Sequence, residues 1–139
     1  VASGDGEGVV TLWDAATGET RDTLAGHEAA ITAVAFAPDG KTLASASQDD
    51  AVKLWDVPRA RELRTLAGHT EDVTGVAFAG GTRLVSGSED GTLKVWAVGT
   101  GEVVESFRAG AALTAVAASA DGKRVAFAHS KLVSVRSVE

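Results

Sequence analysis

Leu24–His27 reads LAGH, and the same four residues return at Leu66–His69. From His27 to His69 is 42 residues, from Trp13 to Trp55 is 42, from Trp55 to Trp96 is 41, and from Asp49 to Asp90 is 41. Leu24, Leu66 and Phe107 keep the same beat, with steps of 42 and 41. A constant period of this length marks one supersecondary unit used several times, each copy burying its apolar face against the next.

Inside each unit the apolar residues alternate with period two rather than 3.6, which is the pattern of half-buried strands. The segments ITAVAF (Ile31–Phe36), TLASAS (Thr42–Ser47) and AVKLWDV (Ala51–Val57) are short and separated by turn residues. Those separators are Pro38-Asp39-Gly40, Gln48-Asp49-Asp50 and Pro58-Arg59-Ala60, with Gly80-Gly81, Glu89-Asp90-Gly91 and Asp121-Gly122 as counterparts later in the chain. Proline presets φ, and Gly or Asp tolerates the positive φ of tight hairpins. A fourth, more polar strand such as ELRTLAG (Glu62–Gly68) completes each unit, and no segment has the period of a helix. The expected fold is all-β, built from four-stranded antiparallel sheets.

A unit of 41–42 residues that carries Gly26-His27 near its start and Trp55-Asp56 at its end resembles the WD-repeat β-propeller family. Gly68-His69 with Trp96-Ala97 repeats the pattern, and Asp49 and Asp90 each stand six residues before the tryptophan. The resemblance covers the chain as a partial blade (1–23), two repeats (24–65 and 66–106) and a degenerate repeat (107–139). It implies about three and a half blades of an incomplete ring.

Serine, histidine and aspartate are also the parts of a hydrolase triad, so the repeated trio needs two readings. A hairpin turning at Gln48–Asp50 puts Ser45 opposite Lys53 and Trp55 opposite Leu43, with Trp55 and Ser45 on one face. A buried indole N–H needs an acceptor, which Ser45 supplies; the serine hydroxyl then donates to His27, whose other ring N–H donates to Asp49. Trp96, Ser86, His69 and Asp90 repeat the spacing. WD-repeat proteins are similar in using such a tetrad to pin a loop onto a hairpin turn. The catalytic reading fails on several counts: the trio occurs twice, its serine is committed to an indole, no G-x-S-x-G elbow lifts a nucleophile, and the positions fall inside a sheet. Metal binding by His69, Glu71 and Asp72 is the poorer reading too, because one histidine beside two carboxylates lacks a second nitrogen or a thiolate. No catalytic residue, metal or cofactor is expected.

The 139 residues carry a net charge of −6, which gives no electrostatic footprint for nucleic acid or an anionic membrane. With no cysteine there is no disulfide framework, and no apolar run approaches the roughly 20 residues of a membrane span. The opening VASGDGEG has no charged-then-apolar leader, which favours a cytoplasmic location and a chain cut from something longer.

The ends depart from the pattern. Glu7 takes the turn-aspartate position in the first unit and Asp5 that of Ser47 and Ser88; in the last, Gly110 replaces histidine, Ser130 aspartate and Arg136 tryptophan, while Phe78 is matched by Ala118. Propellers close with roughly 4–8 blades, so the ends need covering, by further blades of a parent chain or by self-assembly of copies. The resemblance implies a protein-interaction scaffold binding peptides or domains on the propeller faces. The rim positions to test are Glu28, Thr70, Glu71 and Asp72, with Gln48, Asp50 and Glu89 in the turns; their acidity points to a basic partner. The alternative is an accessory propeller of a larger signalling enzyme, for example one linked to a kinase.

Overall fold

Alternating segments separated by Gly- and Asp-containing turns fold here into consecutive antiparallel meanders. A computed structural model describes residues 1–138, and its regular elements among the described residues are all strands. The first sheet contains β1 (Ala2–Gly4), β2 (Val9–Trp13) and β3 (Thr20–Ala25); the second β4 (Ile31–Phe36), β5 (Thr42–Ser47), β6 (Ala51–Asp56) and β7 (Arg61–Ala67). The third contains β8 (Val73–Ala79), β9 (Arg83–Ser88), β10 (Thr92–Ala97) and β11 (Val103–Arg108); the fourth β12 (Leu113–Ala118), β13 (Arg124–His129) and β14 (Leu132–Ser137). In each sheet the strands pair in chain order. These sheets are propeller blades, and no ring closes.

Two details differ from the expected segments. The outer strand expected at Glu62–Gly68 runs from Arg61 to Ala67, and Val57 leaves the strand to open the next turn, where its N–H donates to the Lys41 carbonyl at 2.9 Å. Sequence repeat and sheet are also out of phase, because β3, which ends at Ala25, closes the first sheet while the LAGH unit has already begun at Leu24.

Side chains from facing blades interleave. Leu43 and Trp55 of the second blade pack with Val10, Leu12 and Leu24 of the first. The opposite face of the second blade, with Ala44, Ala46, Val52, Leu54 and Leu66, meets Leu84, Trp96, Val73 and Val76 of the third. Val85, Leu93 and Val95 then meet Leu113, Val125 and Phe127 of the fourth. Small residues on each second strand let the next inner strand approach closely. A Cβ built on Gly87 would stand 2.6 Å from Val116 Cγ1, and one on Gly4 would stand 2.2 Å from Ile31 Cγ2. Glycine is required there by proximity rather than by backbone conformation.

Hydroxyls stitch the inner strands together as well. Thr32 donates to the Val73 carbonyl of the following blade, and Thr74 to the Leu113 carbonyl at 2.6 Å. Thr114 holds the same place in the fourth blade, where it reaches only the Ala128 carbonyl of its own sheet at 3.4 Å. β1 and β14 each pair on one side only, and Val133 and Val135 on β14 are exposed.

Candidate functional site

Two antiparallel pairings set up the repeated polar cluster. Leu43 lies opposite Trp55 and Ser45 opposite Lys53; in the third blade Leu84 lies opposite Trp96 and Ser86 opposite Lys94. Trp55 Nε1 donates to Ser45 Oγ at 2.8 Å, and Trp96 Nε1 to Ser86 Oγ at 2.8 Å. His27 Nε2 lies 2.7 Å from Ser45 Oγ and its Nδ1 lies 2.8 Å from Asp49 Oδ2. His69 makes the same contacts to Ser86 and Asp90, at 2.8 and 2.9 Å. A carboxylate only accepts, so Nδ1 carries the proton and Nε2 accepts from the serine. The chain of donors therefore runs from indole to serine to imidazole to carboxylate.

Each serine is fully buried, and its oxygen receives the indole proton while its own proton goes to imidazole. Neither serine is presented to a substrate. Both nitrogens of His69 are engaged, which leaves no lone pair for a metal beside Glu71 and Asp72. The Glu71 carbonyl instead accepts from Ser88 Oγ at 2.8 Å, and the Asp72 carbonyl from the Glu89 N–H at 2.9 Å.

The electrostatics follow from burial and bonding. Burial alone would raise the Asp90 carboxyl, but hydrogen bonds from the Thr92 hydroxyl, His69 and the Thr70 and Thr92 amides outweigh it and bring its pKa down to about 2. Asp49 is shifted the same way, with burial opposed by the Glu28 amide and His27. For His69 burial wins over the Asp90 carboxylate, so its pKa is lowered and the ring is neutral at pH 7.

These clusters fix one edge of the blades. Asp49 Oδ2 also accepts the Glu28 N–H at 3.0 Å, and Asp90 Oδ2 the Thr70 N–H at 3.1 Å. The Gln48 N–H donates to the Ala30 carbonyl at 3.0 Å. Glu28, Gln48, Thr70, Glu71 and Glu89 are exposed on this edge, with Asp50 and Asp72 half-buried. Asp50 adopts a left-handed φ of 65°, in the turn position where the third blade has Gly91 at 75°. Asp5 and Glu7 lie on the same edge, and Lys131 is the one lysine or arginine in its turns and loops among the described residues.

Several contacts were not read from the sequence. Gly26 and Gly68 lie directly over the indoles, where an added Cβ would meet Trp55 Cη2 at 3.2 Å and Trp96 Cη2 at 3.1 Å. Trp13 Nε1 donates to Ser3 Oγ at 2.8 Å, so the first blade keeps two members of the tetrad. Asp5 Oδ1 caps that turn by accepting the Glu7 and Val9 amides at 3.0 and 2.9 Å. In the fourth blade Phe127 occupies the serine position, 41 residues after Ser86, and stacks on His129 at 6.0 Å. Arg136, in the tryptophan position, covers the Phe107 ring at 5.0 Å. A count of 41 from Ser86 would have found Phe127; the glycine contacts leave no such trace.

Comparison with known proteins agrees with this geometry. The family model "WD domain, G-beta repeat" matches residues 18–56 and 60–97, together more than half of the chain. The chain belongs to the WD-repeat family. It is 30% identical over 96 residues to Protein tipD of Dictyostelium discoideum, covering 69% of this chain and 16% of that protein. It is 32% identical over 107 residues to apoptotic protease-activating factor 1 of Rattus norvegicus, covering 77% of this chain and 8% of that one. The solved structure of U3-55K superposes with a TM-score of 0.92 at 26% identity, covering 99% of this chain and 45% of that chain. The WD-repeat chain thus spans less than half the length of each of these proteins.

Proposed function

We propose that this WD-repeat chain is part of a non-catalytic interaction scaffold whose tetrad-bearing edge receives a basic protein segment. The observation that carries the reading is the segregation of charge. Asp5, Glu7, Glu28, Asp50, Glu71, Asp72 and Glu89 share one edge, against Lys131 in its loops and Arg108, which ends β11 beside Glu89 and Asp90, among the described residues. The loops that bear Glu28, Asp50, Glu71, Asp72 and Glu89 are pinned by His27–Asp49 and His69–Asp90, so little ordering entropy is lost when a partner binds. Substituting Glu71, Asp72 and Glu89 together by alanine is expected to weaken a basic partner at least about tenfold while leaving the melting midpoint within about 2 °C of the parent. Isothermal titration with a lysine-rich peptide reads the first quantity, and unchanged affinity rejects the assignment.

The end blades support a second part of the proposal. Thr114 lacks the cross-blade acceptor that Thr32 and Thr74 have, and the alanine and valine side of the fourth blade is the counterpart of the side that covers its neighbour in the second. Further blades of the same parent chain are the proposed cover. The small shares of tipD and the protease-activating factor that this chain matches favour a propeller within a larger protein, including the accessory role beside an enzyme. Light scattering tests this, since a monomer of the isolated chain that stays soluble and melts cooperatively would contradict a need for further blades.

A further inference from the structure

The edge opposite the acidic loops carries a separate feature, whose origin lies in a broken repeat. In the second blade Thr42 pairs with Asp56, the aspartate of the Trp-Asp dipeptide. Asp56 is buried and is bonded by Arg59 Nη1 at 2.9 Å. In the third blade the corresponding pair is Arg83 with Ala97, and in the fourth it is Arg124 with Ser137. Each later blade has therefore gained a guanidinium and lost the carboxylate opposite it. Among the described residues neither guanidinium makes a side-chain hydrogen bond or an ion pair.

The two arginines line one cleft of about 750 Å³ between the β8–β9 and β12–β13 turns, together with Lys123, Thr82 and Ser137. Asp121 also lines it, but its carboxylate is held within its own turn by Ser119 Oγ and the Lys123 N–H. Three cations against one carboxylate make the cleft positive in a chain whose net charge is −6. A cleft lined by one sign of charge focuses the field on a counter-charge, and its volume lies in the roughly 300–1,000 Å³ range that encloses a small ligand. Planar guanidinium groups match the two oxygens of a carboxylate.

We infer that this cleft binds an acidic peptide segment, with Arg83 and Arg124 each pairing a Glu or Asp carboxylate and Lys123 adding charge at the mouth. The site is separate from the acidic edge and would serve a partner of opposite sign. Fluorescence anisotropy with labelled hexaglutamate on the full chain tests it, with an equally charged single-stranded oligonucleotide as the competing probe. Binding that weakens as salt rises is expected, with a loss of about tenfold for Arg83→Gln and again for Arg124→Gln. Lys123→Gln, at an exposed turn position that keeps the fold, is expected to lose a smaller part, and Arg59→Gln on the same edge to lose nothing. Absence of hexaglutamate binding, affinity untouched by the three cleft variants, or tighter binding of the oligonucleotide would overturn the assignment.

Discussion

Replacing His69 by alanine separates a joint from a catalyst. The His69 side chain is 1% exposed, so its loss removes buried contacts. It deletes a bond to the Asp90 carboxylate at 2.9 Å and the acceptor of the Ser86 hydroxyl at 2.8 Å. The first, involving a charged group, is worth about 1.5–3 kcal/mol and the second about 1 kcal/mol. Asp90 keeps its bonds from Thr70 and Thr92, which limits the penalty of leaving that charge behind. With a residual void added, the expected cost is about 3–5 kcal/mol, a large part of the stability of an ordinary domain. At this chain length that lowers the melting midpoint by about 10–17 °C. Thermal unfolding followed by tryptophan emission is a suitable assay, because Trp96 sits on the same serine. His27→Ala should cost a similar amount, since its contacts are 2.7 and 2.8 Å, and Thr70→Ala, whose bond to Asp90 uses the backbone, should cost little. A midpoint for His69→Ala within about 2 °C of the parent refutes the reasoning.

Acid should act on the same cluster in two stages. His69 has a lowered folded pKa, so its contribution is lost as pH falls through the ordinary histidine value of 6.5 toward that lower pKa. Asp90, brought from 3.8 to about 2, contributes roughly 2 kcal/mol that is present above pH 4 and lost as pH falls through its folded value. Urea midpoints measured from pH 7 to pH 2 should show both declines, with the second smaller in Asp90→Asn because Asp49 is lowered as well. Gly87→Ala places a Cβ 2.6 Å from Val116 Cγ1 and should destabilise by about 1–3 kcal/mol. Its partner test is Gly87→Ala with Val116→Ala, in which equilibrium denaturation should recover part of the loss.

The spacing of tryptophans and the period-two alternation were enough to place sheets, hairpins and the Ser45–Trp55 diagonal, because hairpin register follows from turn length. The His27–Ser45 and His69–Ser86 contacts were legible because every donor needs an acceptor and few were available nearby. What stayed hidden depends on contacts between blades. Nothing local distinguishes Gly87, which must be small for Val116, from Gly81, which has open space around it. The register shift between Leu54 and Trp55, repeated at Val95/Trp96 and Leu12/Trp13, is likewise invisible in composition. The cationic cleft escaped notice because Arg83 and Arg124 are distant in sequence and become neighbours only when blades stack.

The two histidines sit on the segments that carry the chain from one blade into the next, which bears on how the molecule assembles. His27 closes onto Asp49 and His69 onto Asp90, separations of 22 and 21 residues, so each clasp is made soon after its own hairpin forms. Short closures of this kind favour rapid, stepwise growth from any starting blade. The crossing into the fourth blade, with Gly110 in place of histidine, has no such clasp. The fourth sheet therefore docks through packing and the Thr74 bond to the Leu113 carbonyl, without a clasp of its own, and is expected to be the first of these sheets to reverse.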